Sequence, residues 1–415
     1  MKAAVIVDGY SGGLYLAPEF RSRGIACVHV QSDAGIWERL RPLFDFTPYE
    51  KNIEFVGDLE AVVEGLSGFE VLCVLPGTET GVELADRLAD RLGVCSNGTQ
   101  HSEARRDKFL MVDLCRKAGL LVADQIKASA AAPILEWYAR GRYPKVVVKP
   151  HKSAGTEDVF LCENAIDIGR AVNTILSKQN ILGLNNTDVV VQEYLSGTEY
   201  FLDSVSKDGR HHFTDIWRYR KRSINGRDFV YDKNELCDPK DANIVRLIQY
   251  TEKVLNALGV KYGPAHTEVI DTERGPALVE IGARLDGLTL PKVNEAAIGY
   301  SPVHVSVDCY VDADAFEKCS ANPYPIRKHA RTVYLTSYQD GILSAFPGRE
   351  KLEGLESFFQ LTMRWKEGAP AKKTINYFTA PGFVTLIHED PAVVEKDYQT
   401  IRQWEDRKAL FEFRV

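Results

Sequence analysis

Gly263–Gly287, GPAHTEVIDTERGPALVEIGARLDG, reads as two short strands, Ala265–Ile270 and Ala277–Ile281, joined by a polar turn that holds Gly275 and Pro276. Side chains alternate faces along a strand. His266, Glu268 and Ile270 therefore share one face, as do Leu278, Glu280 and Gly282. If Glu268 stands opposite Glu280, their Cβ atoms come within about 4.5–5.5 Å. Two carboxylates at that spacing repel unless a positive charge lies between them. A hard divalent cation with oxygen ligands, Mg²⁺ above all, supplies that charge. Arg284, just past the second strand, then faces the anion that such a metal brings. The competing reading is a solvated hairpin with unrelated acids on its outer face.

Working outward, a chain of 415 residues is too long for one core and predicts two or three domains. Its 45% hydrophobic and 26% charged content is ordinary for a globular protein. A net charge of −7 argues against a general nucleic-acid binder and against a basic membrane-surface protein. The eight cysteines form no C-x-x-C pair and no zinc spacing, and they fit reduced thiols better than a disulfide framework. The N-terminus enters a strand at once (AAVIV) without a signal-peptide pattern. No apolar run approaches the roughly 20 residues of a membrane span. The expected location is the cytoplasm.

The first hundred residues alternate strand and helix: AAVIV, a helix near Tyr15–Arg23, IACVHV and a helical stretch at Ile36–Leu43. NIEFV, a short helix from Leu59, the strand VLCVL and a helix over Glu79–Leu92 continue the pattern of a parallel α/β domain. Gly9, Gly12 and Gly13 follow the first strand without G-x-G-x-x-G spacing, so they make a tight turn or line a cleft. Next comes a helical segment with Lys108 near its start, among Arg105, Arg106 and Asp107. Such clusters usually form a solvated charged face.

KVVVKPHKSAGTEDVFLC delivers Lys149 at the end of an apolar strand, where Pro150 stops the pairing. His151–Thr156 form a small polar loop before a strand at Val159–Cys162. A lysine beside exposed backbone N–H groups suits phosphate binding, and an ordinary hairpin loop is the alternative. The G-x-x-x-x-G-K-[ST] pattern is absent, which rules out a P-loop. Between Leu121 and Ala132 we expect a break in regular structure. After a helix near Ala165–Ser177, an apolar strand runs into Gln192-Glu193-Tyr194-Leu195, a turn at Ser196–Gly197, and a strand carrying Glu199. A connection with free backbone groups can bind an adenine edge, and the carboxylate can accept ribose hydroxyls. Charged flanks on a hairpin are the alternative.

These pieces, taken in order, resemble the ATP-grasp ligases: a helix lysine (Lys108), a lid-strand lysine (Lys149), a small-residue lid loop (Ser153-Ala154-Gly155), a hinge (Gln192, Glu193, Tyr194, Leu195) followed by Glu199, and a metal pair (Glu268, Glu280) with Arg284. GPAHTEV and LVEIGARLDG are most similar to the L-amino-acid ligase branch, which is associated with dipeptide synthesis and antibiotic biosynthesis. The resemblance implies an ATP-grasp fold, α/β and α+β and multidomain. It implies an N-terminal parallel α/β domain over 1–98, a helix and lid subdomain over 99–192, a core with the metal hairpin over 193–311, and a C-terminal α+β subdomain over 312–415. It further implies ATP and Mg²⁺ (one or two ions, Mn²⁺ as an alternative), with small-molecule acid and amino-acid substrates. Lys108 and Lys149 would hold phosphates, and Arg284 would serve the γ-phosphate, the acyl-phosphate and the oxyanion. The product is an amide, with ADP and phosphate released. One departure stands out. Many ATP-grasp enzymes place Asn two residues after the second metal Glu, where this chain has Gly282. Water or substrate must replace that oxygen, and the number of metals held is left open.

His266, on the metal face, either orients a carboxylate or substrate or is a satisfied core histidine. The run Arg218-Tyr219-Arg220-Lys221-Arg222 beside Gly226 reads as a strand leading into a mobile loop. We favour a flap that adds positive charge over the triphosphate, with Arg218 and Lys221 as candidate substrate residues, against a solvated basic turn. The C-terminal part closes one side of the substrate cleft or makes a homodimer contact. Two other functions fit the same motifs: a carboxyphosphate-using carboxylase and a non-catalytic ATP-binding regulator.

Overall fold

The computed structural model describes residues 1–33, 35, 44–141, 143–152, 158–180, 183 and 185–414. The helix expected at Ile36–Leu43 and the loop Ser153-Ala154-Gly155 lie outside the described residues. The chain opens with four parallel strands, β1 (Lys2–Val7), β2 (Ala26–Gln31), β3 (Lys51–Glu54) and β4 (Glu70–Pro76), ordered β3-β2-β1-β4. The continuous apolar run of β1 buries both faces, as a parallel sheet requires. Ala3, Val5 and Val7 pack with the helix Val82–Leu92, whereas Ala4 and Ile6 pack toward Leu285, Val303 and Val307 of the later chain. That second face fixes the N-terminal sheet against the core. Where they meet, a Cβ on Gly12 would lie 2.1 Å from the Asp286 carbonyl oxygen, and Ser11 Oγ donates to the Gly287 carbonyl at 2.8 Å. Gly12 thus serves close approach of two backbones.

A second sheet, ordered β5-β8-β6-β7, holds β5 (Gln125–Ala128), β6 (Val146–Pro150), β7 (Phe160–Cys162) and β8 (Val189–Glu193), all antiparallel. Val146, Val148, Val189 and Val191 pack under the helices Ala131–Gly141 and Ala165–Leu176. The break expected at Leu121–Ala132 therefore contains a strand. Its sequence, QIKA, is too short and too polar to signal one alone, and pairing with β8 holds it.

The central sheet has eight strands in the order β13-β12-β9-β10-β11-β14-β18-β16. The first five of these in the chain are β9 (Gly197–Lys207), β10 (Arg210–Ile224), β11 (Arg227–Leu236), β12 (Gly263–Thr272) and β13 (Gly275–Gly282). The C-terminal part supplies β14 (His329–Tyr334), β16 (Phe358–Met363) and β18 (Gly382–His388) to the same sheet. It also builds a small one from β15 (Gly341–Ala345), β17 (Pro370–Ala371) and β19 (Glu412–Arg414). The sheet thus runs unbroken across residue 312.

Three expectations need correction. Arg105 is no part of a solvated face. It is wholly buried, donating to Asp86 at 2.8 Å and to the Leu258 carbonyl at 2.9 Å. The basic run does not enter a mobile loop either: β10 continues to Ile224 and turns through Asn225 (φ 51) and Gly226 (φ 74), with Ile224 paired to Arg227. Positive φ at both turn residues is the two-residue hairpin that Asn-Gly favours. Finally, Arg218 does not join Lys221. Alternation along β10 turns Tyr219 and Lys221 to the cleft and Arg218 away from it, where it donates to Glu235 at 2.6 Å.

Glu235 also takes Lys233 at 3.0 Å and Arg331. Burial would raise its carboxyl, but Arg331, Arg218 and Lys233 outweigh that and hold it at about 2. Its folded-state pKa thus lies below its ordinary value of 4.5. The stabilisation is complete above the ordinary value and is lost as pH falls toward 2. Glu235→Gln should cost about 1–3 kcal/mol at neutral pH. In thermal melts, the gap between variant and parent should close on acidification through that window. A gap that stays constant with pH would remove the ion pairs as its cause.

Candidate active site

The strands β12 and β13 pair as the alternation predicts, with Glu268 opposite Glu280 and His266 opposite Gly282. On the other side of β12, Glu268 lies beside Phe201, Ile270 beside Glu199 and His266 beside Asp203 of β9. One sheet face therefore carries Glu280, Glu268, His266 and Glu199 in adjoining rows, and Tyr219 and Lys221 extend it. This face floors a cleft of about 600 Å³, within the range of nucleotide-sized pockets. Ser11 and Glu79 from the N-terminal domain line one wall, Lys149 and the segment Gln192–Leu195 another, and Tyr377 and Phe378 from the C-terminal part a third.

Charges in the cleft are paired across elements. Lys108 begins the helix Lys108–Lys117 and reaches Glu280 at 2.9 Å. Asp107 caps that helix, accepting from the N–H groups of Phe109 and Leu110. Lys221 reaches Glu199 at 2.6 Å, and Arg284 reaches Glu79 at 3.0 Å. Burial would raise the Glu280 carboxyl, but Lys108, Lys149 and Arg284 hold it at about 2. Burial lowers the Lys149 ammonium to about 8 against the pull of Glu280 and Glu268. Among the described residues no hydrogen bond or ion pair engages that ammonium. It is a buried cation lining the cleft.

His266 is buried, with Nδ1 2.7 Å from Asp203, and Nε2 3.6 Å from Glu268 and 4.0 Å from Asp286. Burial would lower its pKa, but Asp286 and Asp203 raise it well above the ordinary value. An imidazolium thus braces the rear of Glu268. Gly282 has its own reason. A Cβ there would lie 2.7 Å from Arg284 Cζ and 3.0 Å from Glu79 Oε2. The space that a longer side chain would use is taken by the arginine.

In the hinge, the Glu193 N–H donates to the Asp124 carbonyl at 2.9 Å and the Tyr194 N–H to the Lys145 carbonyl at 3.2 Å. Two of the amides expected to be free are thus committed. Among the described residues, the Leu195 N–H has no such partner. The Glu193 carboxylate pairs with Arg274.

A family model described as an ATP-grasp domain matches residues 142–292. Over 414 residues the chain is 30% identical to dapdiamide A synthase of Enterobacter agglomerans, covering 98% of this chain and 96% of that one. The chain belongs to the ATP-grasp ligases, in the amino-acid ligase branch. Among solved structures, an L-amino acid ligase from Bacillus licheniformis superposes with a TM-score of 0.77 at 16% identity, over 100% of this chain and 99% of that one. An ADP complex of N5-carboxyaminoimidazole ribonucleotide synthetase gives 0.69 at 14% identity over 98% of each chain. At these identities the two structures speak for the fold alone.

The ATP-grasp match begins at residue 142, so Glu79, Arg106 and Lys108 reach the cleft from outside it. Sequence reading found Lys108 and missed the other two. Glu79 follows the carboxyl end of a parallel strand, a position where ligand-facing residues collect. Arg106 lay hidden in a charged cluster. Its guanidinium is 3.5 Å from the Glu79 carboxylate and donates to the Glu79 carbonyl. Phe229 and Tyr231, also missed, add aromatic walls.

Proposed function

We propose that the chain is an ADP-forming ligase that makes an amide between an amino- or acyl-acid and an L-amino acid through an acyl-phosphate. The observation that carries the reading is the meeting, in one cleft, of Glu268, Glu280 and Arg284 with the unengaged ammonium of Lys149. A carboxylate is a poor electrophile at neutral pH, and transfer of the γ-phosphoryl group turns its oxygen into a leaving group.

The paired carboxylates offer oxygen donors only, and Glu280 already draws a cation, Lys108, so the donor set fits Mg²⁺, with Mn²⁺ as the alternative. When bound, such an ion neutralises charge on the β- and γ-phosphates. Lys149, and Lys108 once it swings from Glu280, hold the phosphates as point charges. The Leu195 N–H faces the adenine edge, and Glu199, steadied by Lys221, faces the ribose. Arg284 presents its planar fork to the transferring phosphoryl group and then to the oxyanion formed when the amine attacks. Collapse breaks the bond between carbonyl carbon and phosphate oxygen, releasing phosphate as the amide forms. His266 keeps Glu268 aligned. Among the described residues no helix is long and apolar enough to cross a membrane. All eight cysteines are unpaired, which supports a cytoplasmic location.

The test follows one oxygen. With the donor acid carrying ¹⁸O in its carboxylate, one label should appear in the released phosphate after a full turnover. Label confined to the amide and unreacted acid, or release of AMP and pyrophosphate, would overturn the acyl-phosphate route.

A further inference from the structure

The sheet β5-β8-β6-β7 turns one face to the cleft, and part of that face serves something else. Lys127 of β5, Val190 of β8 and Lys149 of β6 are successive cross-strand neighbours, as are Gln125, Gln192 and Val147. Residues in one such row share a face. Val147, Lys149 and Gln192 line the cleft. Lys127 and Gln125, farther along the same rows, reach instead the first turn of the helix Lys108–Lys117.

Hydrogen bonds join that turn to the sheet. Lys127 Nζ donates to Asp107 Oδ2 at 2.9 Å, and Gln125 Nε2 donates to the Phe109 carbonyl at 2.8 Å. The Lys108 N–H donates at 3.2 Å to the carbonyl of His151, two residues beyond Lys149. Asp107 is the centre of the joint. It is 1% exposed, and its other oxygen accepts from the N–H groups of Phe109 and Leu110. Burial would raise its carboxyl, but Lys127 and those N–H groups hold it below the ordinary value. The carboxylate is therefore ionised at neutral pH. The rest of the helix belongs to the core. Met111, Val112 and Cys115 pack there, and Met111 Sδ accepts from the Ile281 N–H at 3.2 Å, next to Glu280. The helix is thus a strut. The strand that carries Lys149 is bonded to its first turn, the hairpin that carries Glu280 lies along its side, and Lys108 stands at the joint.

We propose that Lys127 is a positioning residue for nucleotide binding: through Asp107 it fixes the spacing between Lys108 and Lys149 and so sets two cations to one polyphosphate. It rests on the ligase reading above only in taking both lysines as groups that hold phosphates. Two ammonium groups in a half-buried cleft repel each other, and each sits on a flexible side chain of a different element. Their spacing holds only if their backbones are pinned together. A hydrogen bond with both partners charged is among the stronger pins available, and the Lys127–Asp107 pair is of that kind. Lys127 does not line the cleft, so its effect on the nucleotide passes through Asp107 and the helix.

The experiment measures, by calorimetry on the full chain with Mg²⁺ present, the binding of ADP and of adenosine, which has the base and ribose without phosphate. Lys127→Met should weaken ADP roughly tenfold and leave adenosine as in the parent. Lys127→Arg keeps the charge and should restore most of the ADP affinity. Asp107→Asn still caps the helix, since asparagine caps as well as aspartate, and should lose ADP affinity to the same degree as Lys127→Met. Combining Lys127→Met with Asp107→Asn should weaken ADP no further than either change alone. Thermal melts accompany each variant to show that it folds. ADP and adenosine weakening together, ADP affinity untouched by either change, or losses that multiply in the double variant would overturn the positioning role. Binding needs no second substrate, so the two readings fail separately. A parent that binds ADP but turns over ATP with no pair of acid and amine would strike the ligase reading alone.

Discussion

Glu280→Gln should lower kcat by roughly a thousandfold or more with the fold intact. Glutamine keeps the volume and an oxygen that still accepts from Lys108. What it removes is a full negative charge, and neighbouring cations hold Glu280 ionised down to about 2. The charge is therefore present throughout the working range, directly across the strand pair from Glu268. On the proposed reading, its loss would leave the metal with one carboxylate in place of two, and the transferring phosphoryl group with less charge neutralisation. The measurement is steady-state turnover across a Mg²⁺ titration, beside a thermal melt. Turnover close to that of the parent at saturating Mg²⁺ would remove Glu280 from metal binding.

Arg284→Ala should cost roughly a hundred- to a thousandfold in kcat, with little change in nucleotide affinity. The guanidinium is anchored by Glu79 at 3.0 Å and by the Leu285 carbonyl at 3.0 Å, so it is held in place before any substrate arrives. Its removal leaves Glu79 with Arg106 as a remaining cation at 3.5 Å, and the fold should survive. Arg284→Lys keeps the charge and loses the planar fork, so it should recover only part of the rate. Single-turnover phosphate release and ADP binding by calorimetry separate the two effects. An alanine variant that loses ADP affinity in step with its rate would make Arg284 a nucleotide anchor, not a group acting on the transferring phosphoryl.

What could be read from the residues was what neighbouring residues decide. The hairpin from Gly263 to Gly287 states its own register, because alternation and the Gly-Pro turn place Glu268 across from Glu280 without help from the rest of the chain. Lys149 was legible for the same reason, as the last polar residue of an apolar strand. The contacts from Glu79 and Arg106 were not legible. They depend on how the N-terminal sheet docks on Leu285 and the helix Pro302–Val311, which is a property of packing between distant segments. Arg105 misled because an arginine serving as a buried bracket between Asp86 and Leu258 looks, in sequence, like one on a surface. The misplacement of Arg218 was avoidable. Apolar Trp217 and Tyr219 alternate with Arg218 and Arg220, and that period of two already sorted the run into two faces. The Asn225-Gly226 pair likewise announced a tight hairpin.

The sheet that runs across residue 312 bears on what the last hundred residues are for. Lys233, Asn234 and Glu235 of β11 pair with Val333, Thr332 and Arg331 of β14. In a chain ended before β14, β11 would become an outer strand with open amides and carbonyls, and such an edge recruits further strands from other molecules. The C-terminal part therefore acts as a seal against aggregation as well as a wall of the cleft. Evolution could reshape its loops, such as the one carrying Tyr377 and Phe378, far more freely than it could discard the part itself.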